Sequence, residues 1–374
     1  MPVTRKIRVE LGQRGYDVAV GVGLLDEIGT EAASFAPTGR AVIITDSNVR
    51  GLYAEPVAAA CGRAGLQTHV IDFPAGEQHK NLATYGQVME GLLGLAPPID
   101  RGALIVALGG GVVGDLAGFV AATALRGLDF INVPTTLLAG VDAAVGGKTG
   151  VDARGGKNLI GAFHQPRAVV IDAAVLKTLP AGELGNGLAE CVKHAVIRDR
   201  SLLDFIEDHA EALPAAEPPL LAELIARNVA LKAAVVAGDE KEAGQRAHLN
   251  FGHTVGHAVE AAAGYSGISH GQAVALGMVA ALHVAVGRGL IEPAAVRRVR
   301  NVLSALSLPV RFADVPGLPA SARDPERLAE IMARDKKARA GVVRFVLPTN
   351  LGNVAVFDDV TPDQVSAAVR SLRQ

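Results

Sequence analysis

The chain has 374 residues, 49% of them hydrophobic and 20% charged, and a formal net charge of −2. It is long enough for two domains with a large buried core, and too apolar for a disordered chain. With no global basic field, 4% aromatics and no Trp, it lacks most of what nucleic-acid binders use to grip phosphates and stack bases.

Residues 1–8 (MPVTRKIR) contain no apolar signal core. Residues 41–45 (AVIIT) form a continuous apolar run, the mark of a strand buried on both faces, closed by Asp46, Ser47 and Asn48. Residues 67–73 (QTHVIDF) read as a second strand ended by Pro74, and 103–108 (ALIVAL) as a third ended by three glycines. Residues 129–133 (DFINV) read as a fourth stopped by Pro134, and 169–172 as a fifth. Helical stretches lie between them, which predicts βαβ units around a parallel sheet. Beyond residue 180 the pattern turns helical over 184–210, 220–237, 254–263, 273–288 and 293–306, with apolar residues recurring at three and four. Only 342–347 and 353–357 look like late strands. This divides the chain into an α/β domain over 1–180 and a mainly α-helical domain over 181–374. The longest apolar stretch, 273–287, is too short to span a bilayer and reads as a buried helix. Cys61 and Cys191 make neither a disulfide framework nor a CxxC knot, which fits a reducing cytoplasm.

The third predicted strand runs into Gly109-Gly110-Gly111-Val112-Val113-Gly114-Asp115, a G-x-G-x-x-G pattern between a strand and a helix. Such glycines let backbone approach a pyrophosphate at a helix N-terminus. The alternative is a tight turn that needs glycine for packing. The usual acidic residue downstream does not fit, because Asp129 starts a strand; Asp46, at the end of one, is the better ribose-binding candidate. Gly146-Gly147-Lys148-Thr149 resembles the tail of a P-loop but fails as one, since Asp142 stands where its first glycine belongs. Gly155-Gly156-Lys157-Asn158 repeats a glycine pair before a lysine. The two segments read equally as lysines held near anionic groups or as solvated surface loops.

On a predicted helix, Glu190 and Lys193 share a face among apolar neighbours. His253 and His257 lie one helical turn apart, and His270 opens the next helix. One carboxylate with two imidazoles is a familiar zinc set with an open position. Helix packing with satisfied histidines is the competing reading.

Several long segments together resemble the 3-dehydroquinate synthase family of sugar phosphate cyclases, over residues 40–350. They are PAGE at 74–77 with Lys80, ALGGGVVGDLAG at 107–118, PTTLL at 134–138, VDAAVGGKTGV at 141–151 and GKN at 156–158 with GAF at 161–163. GLAECVKH at 187–194, LNFGHTVGHAVE at 249–260, His270-Gly271 and Asp335-Lys336-Lys337 complete the set.

The resemblance implies a Rossmann-like domain, a helical metal-binding domain and an active site between them. It also implies NAD, a zinc or cobalt ion and a homodimer. Glu190, His253 and His270 would be the metal ligands. Lys148, Asn158, His257, Lys336 and Arg126 of a second subunit would bind the substrate phosphate; Lys232 and Arg246 would pair with its carboxylate. Asp142, Lys193 and Asn250 would hold hydroxyls. Asp46, Asn48, Glu77, Lys80, the loop of Gly109, Gly110, Gly111, Val112, Val113, Gly114 and Asp115, then Thr135, Thr136, Lys148, Lys157, Val175, Leu176, Lys177 and Thr178, would surround NAD.

The implied reaction turns 3-deoxy-D-arabino-heptulosonate 7-phosphate into 3-dehydroquinate and phosphate. It proceeds by transient oxidation with NAD, β-elimination of phosphate, re-reduction and intramolecular aldol closure. Gly140, Ala143 and Ala144 depart from the residues commonest in the family, so the shape of the lysine loop is the point in question. Two other enzymes share these features: another sugar phosphate cyclase, and a metal- and NAD-dependent alcohol dehydrogenase of related fold. Asn250 with Lys232 and Arg246 favours a substrate that carries a carboxylate. A non-catalytic nucleotide-binding module is a third reading, against which the full set of charged residues argues.

Overall fold

The computed structural model describes residues 4–241, 244–338 and 343–373, with the side chains of 245 and 334–338 left out. Eleven strands are present among them: β1 (Arg5–Val9), β2 (Tyr16–Gly21), β3 (Arg40–Asp46), β4 (Gln67–Phe73), β5 (Leu104–Gly109), β6 (Asp129–Pro134), β7 (Lys148–Ala153), β8 (Gly156–Phe163), β9 (Ala168–Asp172), β10 (Phe345–Asn350) and β11 (Asn353–Phe357). The chain forms two compact units, residues 1–179 with 217–240 and residues 180–216 with 241–374.

In the first unit one seven-stranded sheet has the order β1-β2-β9-β6-β5-β3-β4. Every pair is parallel except β1 with β2. The predicted parallel sheet is thus present, and its central strands are buried throughout, as their unbroken apolar runs require. Ile44, Ile105, Leu116, Val120 and Phe130 belong to one core between the sheet and the Gly111–Thr123 helix. β1 and β2 escaped the sequence reading. β1 has charge at Arg5, Lys6 and Arg8 and lies at an exposed edge, where apolar runs are not needed. The glycine-rich segments at 146–158 are not open loops. β7 and β8 pair antiparallel as a separate hairpin, with Thr149 and Val151 buried beneath it.

The Pro218–Gly238 helix groups with the first unit, against the sequence division at residue 180. It packs on β1, β2 and the turn Ala139–Ala143. The switch to helical patterning marks a change in local structure, but which neighbours cover a helix is decided by packing.

In the second unit the helix predicted over 184–210 is two helices, Ala181–Arg198 and Arg200–Asp208. Asp199 breaks them with an extended backbone, and its side chain caps the N–H groups of Ser201 and Leu202. The helices Pro293–Ala305, Pro325–Ala338 and Pro362–Ser371 each begin at a proline, which suits a first helical position. The predicted strand at 342–347 appears as β10 from Phe345; residue 342 is outside the described residues.

The His270–Gly287 helix has 18 residues, a turn longer than its apolar run, and by length and composition could cross a membrane. Instead it is the buried centre of this unit, packed against the helices Ala181–Arg198, His253–Ala262 and Pro362–Ser371.

Candidate active site

In the first unit the parallel strands bring their carboxyl ends to one edge. β5 lies beside β3 although β4 follows β3 in the chain, so the strand order reverses there and opens a crevice. Asp46 ends β3, and its Oδ1 accepts from the N–H groups of Asn48 and Val49 at 2.9 and 3.0 Å. Gly109 ends β5. The Gly111–Thr123 helix follows with Gly110 as its N-cap, and no side chain covers its first N–H groups. A bare helix N-terminus suits an anion such as a pyrophosphate. A Cβ on Gly110 would lie 3.1 Å from Thr136 Cγ2, so glycine keeps this approach open.

Thr135 follows β6 and donates its N–H to Gly109 O at 2.9 Å. After β9, the Ala173–Thr178 turn presents Val175 O and Thr178 Oγ1 to the hydroxyl of Tyr53, at 3.1 and 2.7 Å. Tyr53 is a residue that the motifs do not reveal, since it stands outside them in the helical stretch Arg50–Ala54 after β3. The carboxyl edge of the sheet therefore carries the glycine loop, Thr135 and Thr136, and the 175–178 turn.

Lys80 is buried, with Nζ 2.5 Å from Asp115 Oδ2 and 2.5 Å from Asn158 Oδ1. Burial works against its charge, but the Asp115 carboxylate more than reverses this and holds Lys80 above the ordinary lysine value. Asn158 sits in left-handed backbone, φ 57°, and its N–H donates to Asp152 Oδ1 at 2.7 Å. Lys157 stands 3.7 Å from Glu77 in an exposed pair. Lys232 donates to both the carboxylate and the carbonyl of Asp142, so two separately named residues are bonded partners. Lys148 is exposed at the start of β7. Arg126 is exposed on a left-handed turn, with φ 50° at Leu125 and 69° at Arg126, and makes no hydrogen bond or ion pair among the described residues.

In the second unit three segments converge. Glu190 is fully buried on the Ala181–Arg198 helix and paired with Lys193, itself 1% exposed. His253 opens one helix and His270 the next. One donor atom from each of Glu190, His253 and His270 lies within 4.8 Å of the others. His253 Nε2 and His270 Nε2 stand 3.7 and 3.6 Å from Glu190 Oε1. Donors bound to tetrahedral zinc lie about 3.4 Å apart, so the set fits a zinc-sized cation with little movement and leaves a fourth position for substrate.

The environment separates the two imidazoles. Burial, then the Lys193 ammonium, pushes His253 down to about 3, with Glu190 opposing. Burial also acts against a charge on His270, but hydrogen bonds with Glu190 and Glu260 outweigh it and raise that ring to about 10. His257 does not share the Glu190 set. It is exposed, with its ring centroid 5.1 Å from that of His253 and 6.3 Å from that of His270.

Close helix packing sets this geometry. Gly271 donates its N–H to Asn186 Oδ1 at 2.8 Å, and a Cβ there would meet Asn186 Cα at 2.5 Å. Asn186 is one turn before Glu190, so it pins the start of the His270 helix beside the carboxylate. Arg246 is buried and Asn250 half-buried in the Gln245–Asn250 turn just before. Lys336 lies on the Pro325–Ala338 helix with its side chain outside the described residues. Sequence reasoning missed Asn186 and Glu260. Glu260 follows His253 by seven and His257 by three, a spacing that repeats one helical face and could have drawn attention to it.

The family profile "3-dehydroquinate synthase N-terminal" matches residues 70–186, and "3-dehydroquinate synthase C-terminal" matches 187–338. A 3-dehydroquinate synthase of Symbiobacterium thermophilum is 45% identical over 368 residues, 98% of this chain and 100% of that protein. Among solved structures, a 2-epi-5-epi-valiolone synthase from Streptomyces hygroscopicus with NAD+ and Zn2+ bound superposes with a TM-score of 0.85 at 31% identity, covering 96% of each chain. A 2-deoxy-scyllo-inosose synthase complexed with carbaglucose-6-phosphate, NAD+ and Co2+ has a TM-score of 0.87 at 27% identity, covering 98% of this chain and 100% of that one.

Proposed function

The chain belongs to the 3-dehydroquinate synthase family, and we propose that its two units divide the work of that reaction, the first holding NAD and the second the metal. The enzyme is a phosphorus–oxygen lyase that forms 3-dehydroquinate and phosphate from 3-deoxy-D-arabino-heptulosonate 7-phosphate. The observation that carries the assignment is the convergence of Glu190, His253 and His270, which fits a cation with one open position. Bound in the first unit, NAD would supply a reversible hydride acceptor, and a zinc or cobalt ion held by Glu190, His253 and His270 would supply Lewis acidity toward a substrate hydroxyl.

The remaining work falls to side chains that bind and orient. Lys232 and Arg246 take the substrate carboxylate, and Asp142, Lys193 and Asn250 hold hydroxyls. The Lys232–Asp142 bond supports this, because it fixes an ammonium next to an acceptor before substrate arrives. Lys148, Asn158, His257 and Lys336 hold the phosphate and stabilise its charge as it leaves. Asp46, Asn48, the glycine loop, Thr135, Thr136 and the turn at 175–178 surround NAD, with Glu77, Lys80 and Lys157 beside them. The buried cysteines Cys61 and Cys191 are consistent with a cytoplasmic enzyme.

Arg126 is read as serving the site of a second subunit in a homodimer. Two things support this: its left-handed turn, which is costly backbone for a residue without a purpose, and its exposure with no hydrogen bond or ion pair among the described residues. Co-expressing Arg126→Ala with Glu190→Gln tests it. Each variant alone is nearly inactive. The mixed dimer recovers part of the wild-type phosphate release, because one of its sites combines an intact Glu190 with the partner's arginine. Mixed dimers as inactive as either parent would mean that Arg126 serves its own chain.

A further inference from the structure

His270 is held between two carboxylates. Its Nε2 faces Glu190 Oε1 at 3.6 Å, and its Nδ1 faces Glu260 Oε1 at 3.5 Å. Glu260 is 8% exposed on the His253–Ala262 helix, seven residues after His253. His253 is oriented too, but by a neutral group: its Nδ1 lies 3.1 Å from the carbonyl of Phe251. The start of the His270 helix is locked as well. Ser269 and Gln272 form a reciprocal cap, with Ser269 N–H to Gln272 Oε1 at 3.0 Å and Gln272 N–H to Ser269 Oγ at 3.4 Å. Backbone and both ring nitrogens of His270 are therefore constrained from three directions.

An imidazole presents a lone pair from only one nitrogen while the other carries the proton, and an acceptor at the second nitrogen decides which. A carboxylate there fixes the tautomer, fixes the ring plane and makes the ligating nitrogen a stronger donor. We propose that Glu260 is a positioning residue: it accepts the Nδ1–H of His270 and so commits Nε2 to the cation shared with Glu190 and His253. The inference rests on the assignment of those three residues as metal ligands. It makes the two histidine ligands unequal, His270 the more basic because its outer partner is charged, His253 the less.

The test is a titration of zinc, and separately cobalt(II), into metal-stripped full-length protein against a chromophoric chelator. Wild type, Glu260→Gln and Glu260→Ala are compared. Wild type is expected to bind one ion per chain. Glu260→Ala weakens binding by about 10- to 100-fold, and Glu260→Gln, which keeps the volume and an acceptor oxygen, falls between the two. The visible bands of the cobalt form shift in both variants, a change that loss of packing alone would not cause. Thermal unfolding of each stripped variant shows whether it is folded, and the near-isosteric glutamine keeps the test alive if alanine does not fold. Binding by Glu260→Ala within about threefold of wild type, with an unchanged cobalt spectrum, would overturn the inference. Two ions per wild-type chain, the second lost with Glu260, would also overturn it, because Glu260 would then be a ligand with His257 and His270. A wild type that binds no ion would instead defeat the metal assignment on which the inference stands.

Discussion

Glu190→Gln is expected to lower phosphate release by about a thousandfold or more, because several kcal/mol of charge stabilisation leave with the cation. Glutamine occupies the same space but brings no charge to the set. It leaves Lys193, 1% exposed, without its carboxylate. Breaking a buried pair in this way costs about 3–5 kcal/mol of stability. The two losses can be separated. Adding Lys193→Met removes the stranded ammonium and restores much of the thermal stability, but it returns neither bound metal nor activity. Metal content by atomic emission, unfolding temperature and phosphate release, measured together on both variants, decide the matter. Full activity with Glu190→Gln would remove Glu190 from the metal set.

Gly277→Ala is the second change with a large expected effect, although Gly277 touches no substrate. A Cβ on Gly277 would meet Gly252 O at 1.9 Å and Gly256 N at 2.8 Å. From the other side, a Cβ on Gly252, whose φ is +78°, would meet Val274 O at 2.9 Å. The helices that begin at His253 and His270 thus pack backbone against backbone. Alanine suits a helix interior better than glycine by about 1 kcal/mol. Here overpacking costs about 1–3 kcal/mol and drives the helices apart. His253 and His270 ride on those two helices, so their spacing about Glu190 opens. A misplacement of the ligands by about 1 Å costs about 100-fold in turnover. The expected result is a folded protein that loses zinc on dialysis and releases phosphate slowly. Gly277→Ala with wild-type metal content and rate would show that the close approach is not what sets the ligand spacing.

Much of the fold is legible in the sequence where burial leaves a local trace. β3, β5, β6 and β9 are short, mainly apolar runs and β4 a mixed one; all end at glycine, proline or aspartate, and they appear within a residue of where those signals put them. β7 and β8 are not legible, because glycines and lysines hide their alternation and only Thr149, Gly150 and Val151 are buried. The single helix read over 184–210 fails at Asp199, whose cap competes with the continuing helix. The grouping of Pro218–Gly238 with the sheet is a matter of packing that periodicity does not encode.

The candidate site divides in the same way. A spacing of four puts His253 and His257 on one face, and their rings do meet there, edge to face. Spacing does not show that His270, on the next helix, is the ring that joins His253 at Glu190; that follows from the approach of Gly252 and Gly277. Lys80, Asp115 and Asn158 come from three distant segments and meet only in the folded unit. Glu260 resembles any solvated helical glutamate until its distance to His270 is known.

The most direct measurement is phosphate release from 3-deoxy-D-arabino-heptulosonate 7-phosphate by the purified enzyme, with NADH absorbance followed in the same cuvette. The account predicts one phosphate for each 3-dehydroquinate, sustained by catalytic NAD with no net NADH, and stopped by a chelator until zinc or cobalt is restored. NADH that accumulated in step with turnover, or phosphate release indifferent to the chelator, would contradict it.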